Sequence, residues 1–300
     1  MLLLLTSSST KSLPKERVLQ EIKKKFLKMK VKSEIRSLRD LEFYFEKNKT
    51  EILLKGKSIE SYNLIYFRSA AIFRNAAFVL ANTAKRKGIF FVDKFRLNVN
   101  SRGKLVQMFL FSLNNILIPR TYYSPEYDEK KIRSAVSFLR MPIIVKAARL
   151  GGGKAVYLAK SIDQIKHILK KNPRMEIILQ EFIPNDLEYR IMVLGGKAAV
   201  AEFKVRTQKK EFRNNAAVGA KEIFINIKDV PRSLKETCVR AAKIMDIQVA
   251  GVDAIEGKDG KHYLTEVNSA PGLSLDVEGS YELEELVKYL ARCKKSSNSL

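Results

Sequence analysis

The stretch VAGVDAIEGKDGKHYLTEVNSAPGL, Val249 to Leu273, constrains this chain more than any other. Two apolar runs flank an Asp259-Gly260 turn, which reads as an antiparallel hairpin, and the second run stops at Pro271-Gly272. Side chains at i and i+2 of a strand share a face, so Glu266 and Asn268 point the same way and Asp253 on the partner strand can join them. Three oxygen donors converging on one point can hold a hard cation. Magnesium takes few protein oxygens and completes its shell with water and substrate phosphates, which suits two carboxylates and one amide. The same carboxylates are costly in runs that otherwise look buried, unless something partners them.

A second glycine-marked hairpin is written in PIIVKAARLGGGKAVYLA, where two strand-like runs surround Gly151, Gly152 and Gly153. Consecutive glycines cost backbone entropy and mark a sharp bend or a close approach to a ligand. Phosphate is the obvious ligand, but a Walker A loop is excluded. Ala148 occupies its first glycine position, Ala155 replaces its Ser/Thr, and a strand follows instead of a helix. What remains is a hairpin tip whose amides can cover phosphates, with Lys146 on the preceding strand as a point charge. Arg190, Arg206, Arg213 and Asn215 add donors suited to phosphate or carboxylate oxygens, and Lys104 lies upstream.

Around these motifs the chain alternates strand and helix. LLLLT reads as a buried first strand, followed by a helix that starts near Ser12 and Pro14 with Leu19, Ile22 and Phe26 at helical spacing. YNLIYF is a strand, and SAAIFRNAAFVLANTAKRKG a helix ending at Gly88. This βαβ-like pattern predicts a small open α/β unit over 1–97. From Asn98 a second unit runs to Arg292: the helix RGKLVQMFLFSLNN, the glycine hairpin, a helix with His167, the strand MEIILQEFIP, a strand pair turning at Gly195 and Gly196, and a basic loop. A helix from Pro231 to Met245, the donor hairpin and a last helix from Tyr281 to Arg292 complete it. Residues 293–300 read as a frayed tail.

Composition narrows the setting. Three hundred residues, 46% of them hydrophobic and 29% charged, suit a soluble protein of more than one packed unit. Cys238 and Cys293 make no disulfide framework and His167 and His262 no zinc motif, which points to a reducing cytoplasm. The leading leucines are too few for a signal peptide, and no run is long enough to span a bilayer. A net charge of +24 favours anionic partners, although lysines scattered over helix surfaces also read as a solvated face.

The order of the motifs is more specific than any one of them. Lys104, Lys146 before a glycine hairpin, LQEFIP, EYRIMVLGG, EFRNN with Gly219, GVDAIEG and TEVNSAPGL together resemble the ATP-grasp superfamily, most closely its RimK-type α-L-glutamate ligase branch. The likeness covers nearly the whole chain. It implies an α/β fold: an ATP-grasp domain of two α+β lobes over 98–292, behind a small Rossmann-like pre-ATP-grasp domain. It further implies ATP between the lobes, with Lys104, Lys146 and the glycine hairpin on its phosphates, the backbone of Glu181 and Phe182 on the adenine edge, and Glu188 on the ribose. Family members often carry Asp at the Glu188 position, which makes Asp186 a substitute, and glycine at the Ala155 position. Arg206, Arg213, Asn214 and Asn215 would flank the phosphates and an acyl intermediate, and Asp253, Glu266 and Asn268 would hold magnesium, with manganese as an alternative. The implied reaction is amide formation through an acylphosphate, adding glutamate to the C-terminus of an acidic protein or peptide, with ribosomal association and homo-oligomers as in relatives. Ligation to a small metabolite or carrier protein is the alternative within the branch. A non-enzymatic ribosome- or RNA-binding protein on the same fold is the alternative outside it.

Overall fold

Four consecutive leucines open strand β1 (Leu2–Thr6), and all four are fully buried. The structure is a computed structural model that describes residues 1–7, 13–98, 103–148, 155–207, 212, 219–274 and 280–296. After β1 come helix α1 (Leu13–Lys28) and β2 (Ser33–Ser37), then a small antiparallel sheet of β3 (Leu41–Glu46), β4 (Lys49–Leu54) and β5 (Lys57–Ser58). Strand β6 (Leu64–Phe67), helix α2 (Arg74–Arg86) and β7 (Phe90–Val92) complete the N-terminal part. Its main sheet is parallel in the order β2-β1-β6-β7, so the expected βαβ alternation is present. Ile22 and Phe26 of α1 are fully buried, as their spacing requires.

The β3–β5 sheet was not expected. Its strands mix charged and apolar residues, and Tyr44 and Phe45 stay exposed, so no clean alternation marks a buried face. Its turns place Asn48 and Gly56 in the left-handed conformation at φ 61° and 76°, which these residue types tolerate.

The second part begins with helix α3 (Lys104–Leu113). A sheet in the order β10-β9-β11-β8 follows, from β8 (Thr121–Tyr122), β9 (Ile143–Ala147), β10 (Val156–Ala159) and β11 (Ile177–Glu181), with α4 (Glu129–Leu139) and α5 (Ile162–Lys171) packed against it. A five-stranded antiparallel sheet, β14-β13-β12-β15-β16, is built from β12 (Leu187–Leu194), β13 (Lys197–Val205), β14 (Lys221–Ile225), β15 (Val249–Glu256) and β16 (His262–Asn268). Strand β14 occupies part of the stretch expected to be loop, where short runs of Lys, Glu and Ile gave no strong signal.

Alternation along β12, β13 and β15 assigns the two faces of this sheet. One face, with Ile191, Val193, Ala201, Val252 and Ala254, packs on α6 (Arg232–Ile244) through Leu234, Cys238 and Ala241. The other presents Met192, Leu194, Val200 and Val249 to Leu283, Leu286, Val287 and Leu290 of α7 (Glu282–Ser296). Leu2, Leu4, Phe26 and Tyr66 of the N-terminal part join the same core. Helix α7 therefore wedges between the two sheets. It runs four residues past the expected end at Arg292, because Cys293 packs on this core instead of fraying.

One glycine positions the next element. A Cβ on Gly251 would lie 2.8 Å from Cβ of Pro271, so the bare backbone of β15 lets the loop after β16 pack directly on it.

Leu290 is fully buried in the core that α7 shares with both sheets, so Leu290→Ala is expected to cost about 2–5 kcal/mol in urea denaturation. A loss well below 1 kcal/mol would show that α7 is not a wedge.

Candidate active site

A cleft of ≈ 430 Å³ opens between the β8–β11 sheet and the charged half of the five-stranded sheet. Ile144, Lys146, Val156 and Gln180 line it from one side, Glu188, Arg190, Lys204, Asp253, Glu266 and Asn268 from the other, and Lys104 enters from the start of α3. The face that α7 covers at its apolar end is thus the face that carries the cleft at its charged end.

Strand register creates a row of charge. Glu202, Arg190, Asp253 and Glu266 stand directly opposite one another across β13, β12, β15 and β16. Lys204 and Glu188 form a second pair beside them. Asn268 lies across from Gly251, one step along the same face, and its amide nitrogen donates to Asp253 Oδ2 at 3.3 Å. A register shift after Asp253 lets Thr265 bulge, which keeps Glu266 and Asn268 on the cleft side and sends the Thr265 hydroxyl to the Asp253 carbonyl.

Arg190 grips Asp253 with both arms, Nε to Oδ1 at 2.7 Å and Nη2 to Oδ2 at 2.8 Å, and Lys204 adds a bond of 3.2 Å to Oδ1. Burial opposes ionisation of Asp253, but these two cations outweigh it and hold its carboxyl below the usual range. Glu188 moves the other way, raised by burial and by the Asp253 charge. Burial also works against the charge of Lys204, which Asp253 and Glu188 nevertheless maintain.

The two expected phosphate lysines converge. Lys104 Nζ donates to Glu266 Oε1 at 2.8 Å, and Lys146 sits opposite Val156 across the hairpin with 6% of its surface exposed. Burial, helped by the nearby Lys104 charge, lowers Lys146 to about 8. On the other wall, Glu181 and Phe182 line the cleft where an adenine edge was expected. The Glu181 amide is already committed to the Arg120 carbonyl at 2.9 Å, and the Glu181 carboxylate is held by Arg120 at 2.9 and 3.1 Å.

The structure thus brings together Lys104, Lys146, Glu181, Phe182, Glu188, Asp253, Glu266 and Asn268. Gly151, Gly152, Gly153, Arg213, Asn214 and Asn215 lie outside the described residues. Arg206 is not among the lining residues: its guanidinium ties the Asn185 and Phe212 carbonyls together at the rim, because those carbonyls need a donor there. Asp186, the suggested substitute for Glu188, points to solvent with 85% of its side chain exposed, and Glu188 itself faces the cleft.

Sequence reasoning gave no role to Lys204, Glu202 or Asn185. The signal was present as charge at every second position of an apolar strand, Glu188-x-Arg190 and Glu202-x-Lys204, the same spacing that marked Glu266 and Asn268.

With this geometry in hand, comparison with known proteins is informative. A family model described as the RimK-like ATP-grasp domain matches residues 101–282. The chain belongs to the RimK-like ATP-grasp family. Membership makes it an ATP-dependent ligase that forms C–N bonds and uses ATP with magnesium. The "Probable alpha-L-glutamate ligase" of Methanococcoides burtonii is 30% identical over 231 residues, covering 75% of this chain and 74% of the relative. The protein of that name from Maridesulfovibrio salexigens is 28% identical over 270 residues, covering 86% and 87%. Among solved structures, the ATP-grasp ligase PsnB complexed with a phosphomimetic variant of its minimal precursor, Mg and ADP is 16% identical and superposes with a TM-score of 0.73 over 98% of both chains. The D-alanyl-alanine synthetase A of Vibrio cholerae gives 0.67 at 15% identity, covering 99% and 97%. Both show that this RimK-like protein shares the ATP-grasp fold.

Removing Arg190 would strand Asp253 and leave Lys204 as its one strong cation, so Arg190→Met is expected to destabilise the fold by about 3–5 kcal/mol in chemical denaturation. Adding Asp253→Asn should recover part of that loss; a fully additive double variant would show that the pair does not act as a unit.

Proposed function

We propose that this RimK-like ligase activates a carboxylate as an acylphosphate and couples it to the amine of glutamate, extending the C-terminus of an acidic protein or peptide. The observation that carries this reading is the cleft's paired charge: Lys104, Lys146, Arg190 and Lys204 face Glu188, Asp253 and Glu266 within one cavity. Phosphoryl transfer needs positioning and charge neutralisation more than a protein nucleophile. Cys238 of α6, buried against the opposite face of the sheet, is no candidate for one.

The donor set fits magnesium. Asp253, Glu266 and Asn268 stand on one face of adjacent strands, and both carboxylates already attract cationic side chains. These three residues would hold the ion, which when bound neutralises phosphate charge. Lys104 and Lys146 orient the phosphates, and Arg190 and Lys204 keep Asp253 ionised. The substrate carboxylate oxygen then attacks the γ-phosphorus of ATP as the bond to the bridging oxygen breaks and ADP leaves. The amine nitrogen next forms a C–N bond to the acyl carbon, phosphate departs with the electrons of the C–O bond, and the nitrogen sheds its surplus protons. Water has to be kept out while the acylphosphate exists, a task for the hairpin between β9 and β10.

Glutamate is supported by the names of the curated relatives, and a peptide acceptor by the precursor bound to PsnB. The net charge of +24 favours an acidic acceptor, such as the tail of a ribosomal protein. Two free cysteines suit a cytoplasmic setting, and a homo-oligomer is proposed from the family likeness alone.

The first test is ADP release with ATP and magnesium across the twenty amino acids, with and without a ribosomal-protein fraction, followed by intact-mass analysis. Release that requires glutamate, with mass steps of one glutamyl residue, is expected; ADP release coupled to another amine would replace glutamate, and absence of ATP binding would remove the reading. Lys146→Ala, and Glu266→Ala combined with Asn268→Ala, should abolish ADP formation in folded protein.

Proton linkage supplies a separate check. ATP binds the ammonium form of Lys146, so affinity should be full below about pH 8 and weaken by up to about tenfold per pH unit above it. Lys146→Arg, always charged, should flatten that part of the profile in fluorescent-nucleotide titrations.

A further inference from the structure

Helix α3 reaches the metal donors at two points. Lys104 Nζ donates to Glu266 Oε1, and Gln107, one turn further along the helix, takes hold of the next residue of β16. Its Nε2 donates to the Val267 carbonyl at 3.0 Å, and its Oε1 accepts the Val267 amide at 2.8 Å. Gln107 is 4% exposed and is not among the residues that line the cleft, so the phosphoryl-transfer scheme leaves it unused.

Strand order explains why such a bond is needed. β16 is an outer strand of the five-stranded sheet, so the outward N–H and C=O groups of Val267 meet no neighbouring strand among the described residues. A carboxamide presents one donor and one acceptor side by side, which copies the edge of a missing strand. The partners fix its orientation, since only its nitrogen can satisfy a carbonyl and only its oxygen an amide. On the same strand the Leu264 amide donates to the Leu117 carbonyl at 2.9 Å, so the chain after α3 continues the pairing. The Val267 side chain is 3% exposed, in the core with Met108 and Phe111 of α3. Val267 is thereby gripped at backbone and side chain, and alternation turns its two neighbours, Glu266 and Asn268, to the cleft.

We propose that Gln107 is a positioning residue for magnesium: it fixes the Val267 peptide so that Glu266 and Asn268 stand at the spacing from Asp253 that the ion requires. The inference rests on the ligase reading and its metal assignment, and adds what holds the two donors of β16 in place. Magnesium tolerates little departure from octahedral geometry, so donors that drift on an outer strand would bind it poorly. Residues that orient metal ligands without touching the metal commonly set its affinity. Lys104 is attached to the Glu266 carboxylate itself, a bond with which phosphate and magnesium would each compete. Gln107 binds backbone, so its hold persists whichever partner Glu266 takes.

The test is fluorescence titration of the full chain with the N-methylanthraniloyl derivative of ADP, in EDTA and in excess magnesium. The ratio of the two affinities isolates the contribution of the metal, and a general loosening of the fold cancels from it. Gln107→Met, similar in volume but unable to make this pair of bonds, is expected to lower that ratio about ten- to hundredfold while affinity in EDTA stays at the wild-type value. Gln107→Asn retains the carboxamide but is one methylene too short to span both Val267 groups, so it should lower the ratio too and serves if Gln107→Met does not fold. An unchanged ratio in the variants, or a loss of affinity in EDTA equal to the loss in magnesium, would overturn the positioning role. A wild-type chain that binds the nucleotide equally with and without magnesium would overturn that role together with the metal assignment. One that binds no nucleotide would instead sink the ligase reading itself.

Discussion

The bidentate bond from Arg190 to Asp253 is the interaction on which the rest of the site depends. It crosses β12 and β15 at the register position that also places Glu202 on one side and Glu266 on the other. A lone carboxylate at 5% exposure would neutralise itself by taking a proton; paired this way, it stays an anion. Each cation in the row then serves more than one acid, so the charges hold one another in place. Such a network contributes less to stability than its contacts suggest, because desolvation offsets much of the attraction. Its yield is geometry: donors fixed on sheet strands before any ligand arrives.

One sheet face does two jobs. Along β12 the inward residues run from Leu194 and Met192, under α7, to Arg190 and Glu188 in the cleft. The apolar half anchors the sheet to the N-terminal part, and the charged half meets the β8–β11 sheet across the cavity. Alternation with period two makes this economical, since the opposite face stays apolar throughout and packs on α6.

Much of this was legible in the sequence for physical reasons. The donor trio, the glycine-marked hairpin and the leucine-rich first strand each follow from strand periodicity and turn chemistry, which are local. Strands β3 and β14 were not legible, since their alternation is blurred by exposed aromatics and by charges that pair across strands. Helix α7 runs on to Ser296 for a non-local reason, a core shared with β1, α1 and β6 that no window around Cys293 reveals. The roles of Lys204 and Glu202 were hidden likewise, because their partners stand on other strands. The carbonyl partners of Arg206 were not legible, because a basic residue in a basic loop looks the same whether it meets a ligand or two backbone carbonyls.

The N-terminal sheet reaches the cleft through one more bond. Arg68, just past β6, donates to the Pro271 carbonyl at 2.7 Å, and Pro271 is the residue packed onto Gly251. Together with the core that α7 shares between both parts, this fixes what can be exchanged between relatives. A chimaera that swaps residues 1–97 at a loop would separate Arg68 from its carbonyl and α1 from α7. The modular unit of this chain is therefore a packed core with its latch, drawn from both ends of the polypeptide, and recombination that respects only linear order cuts through it.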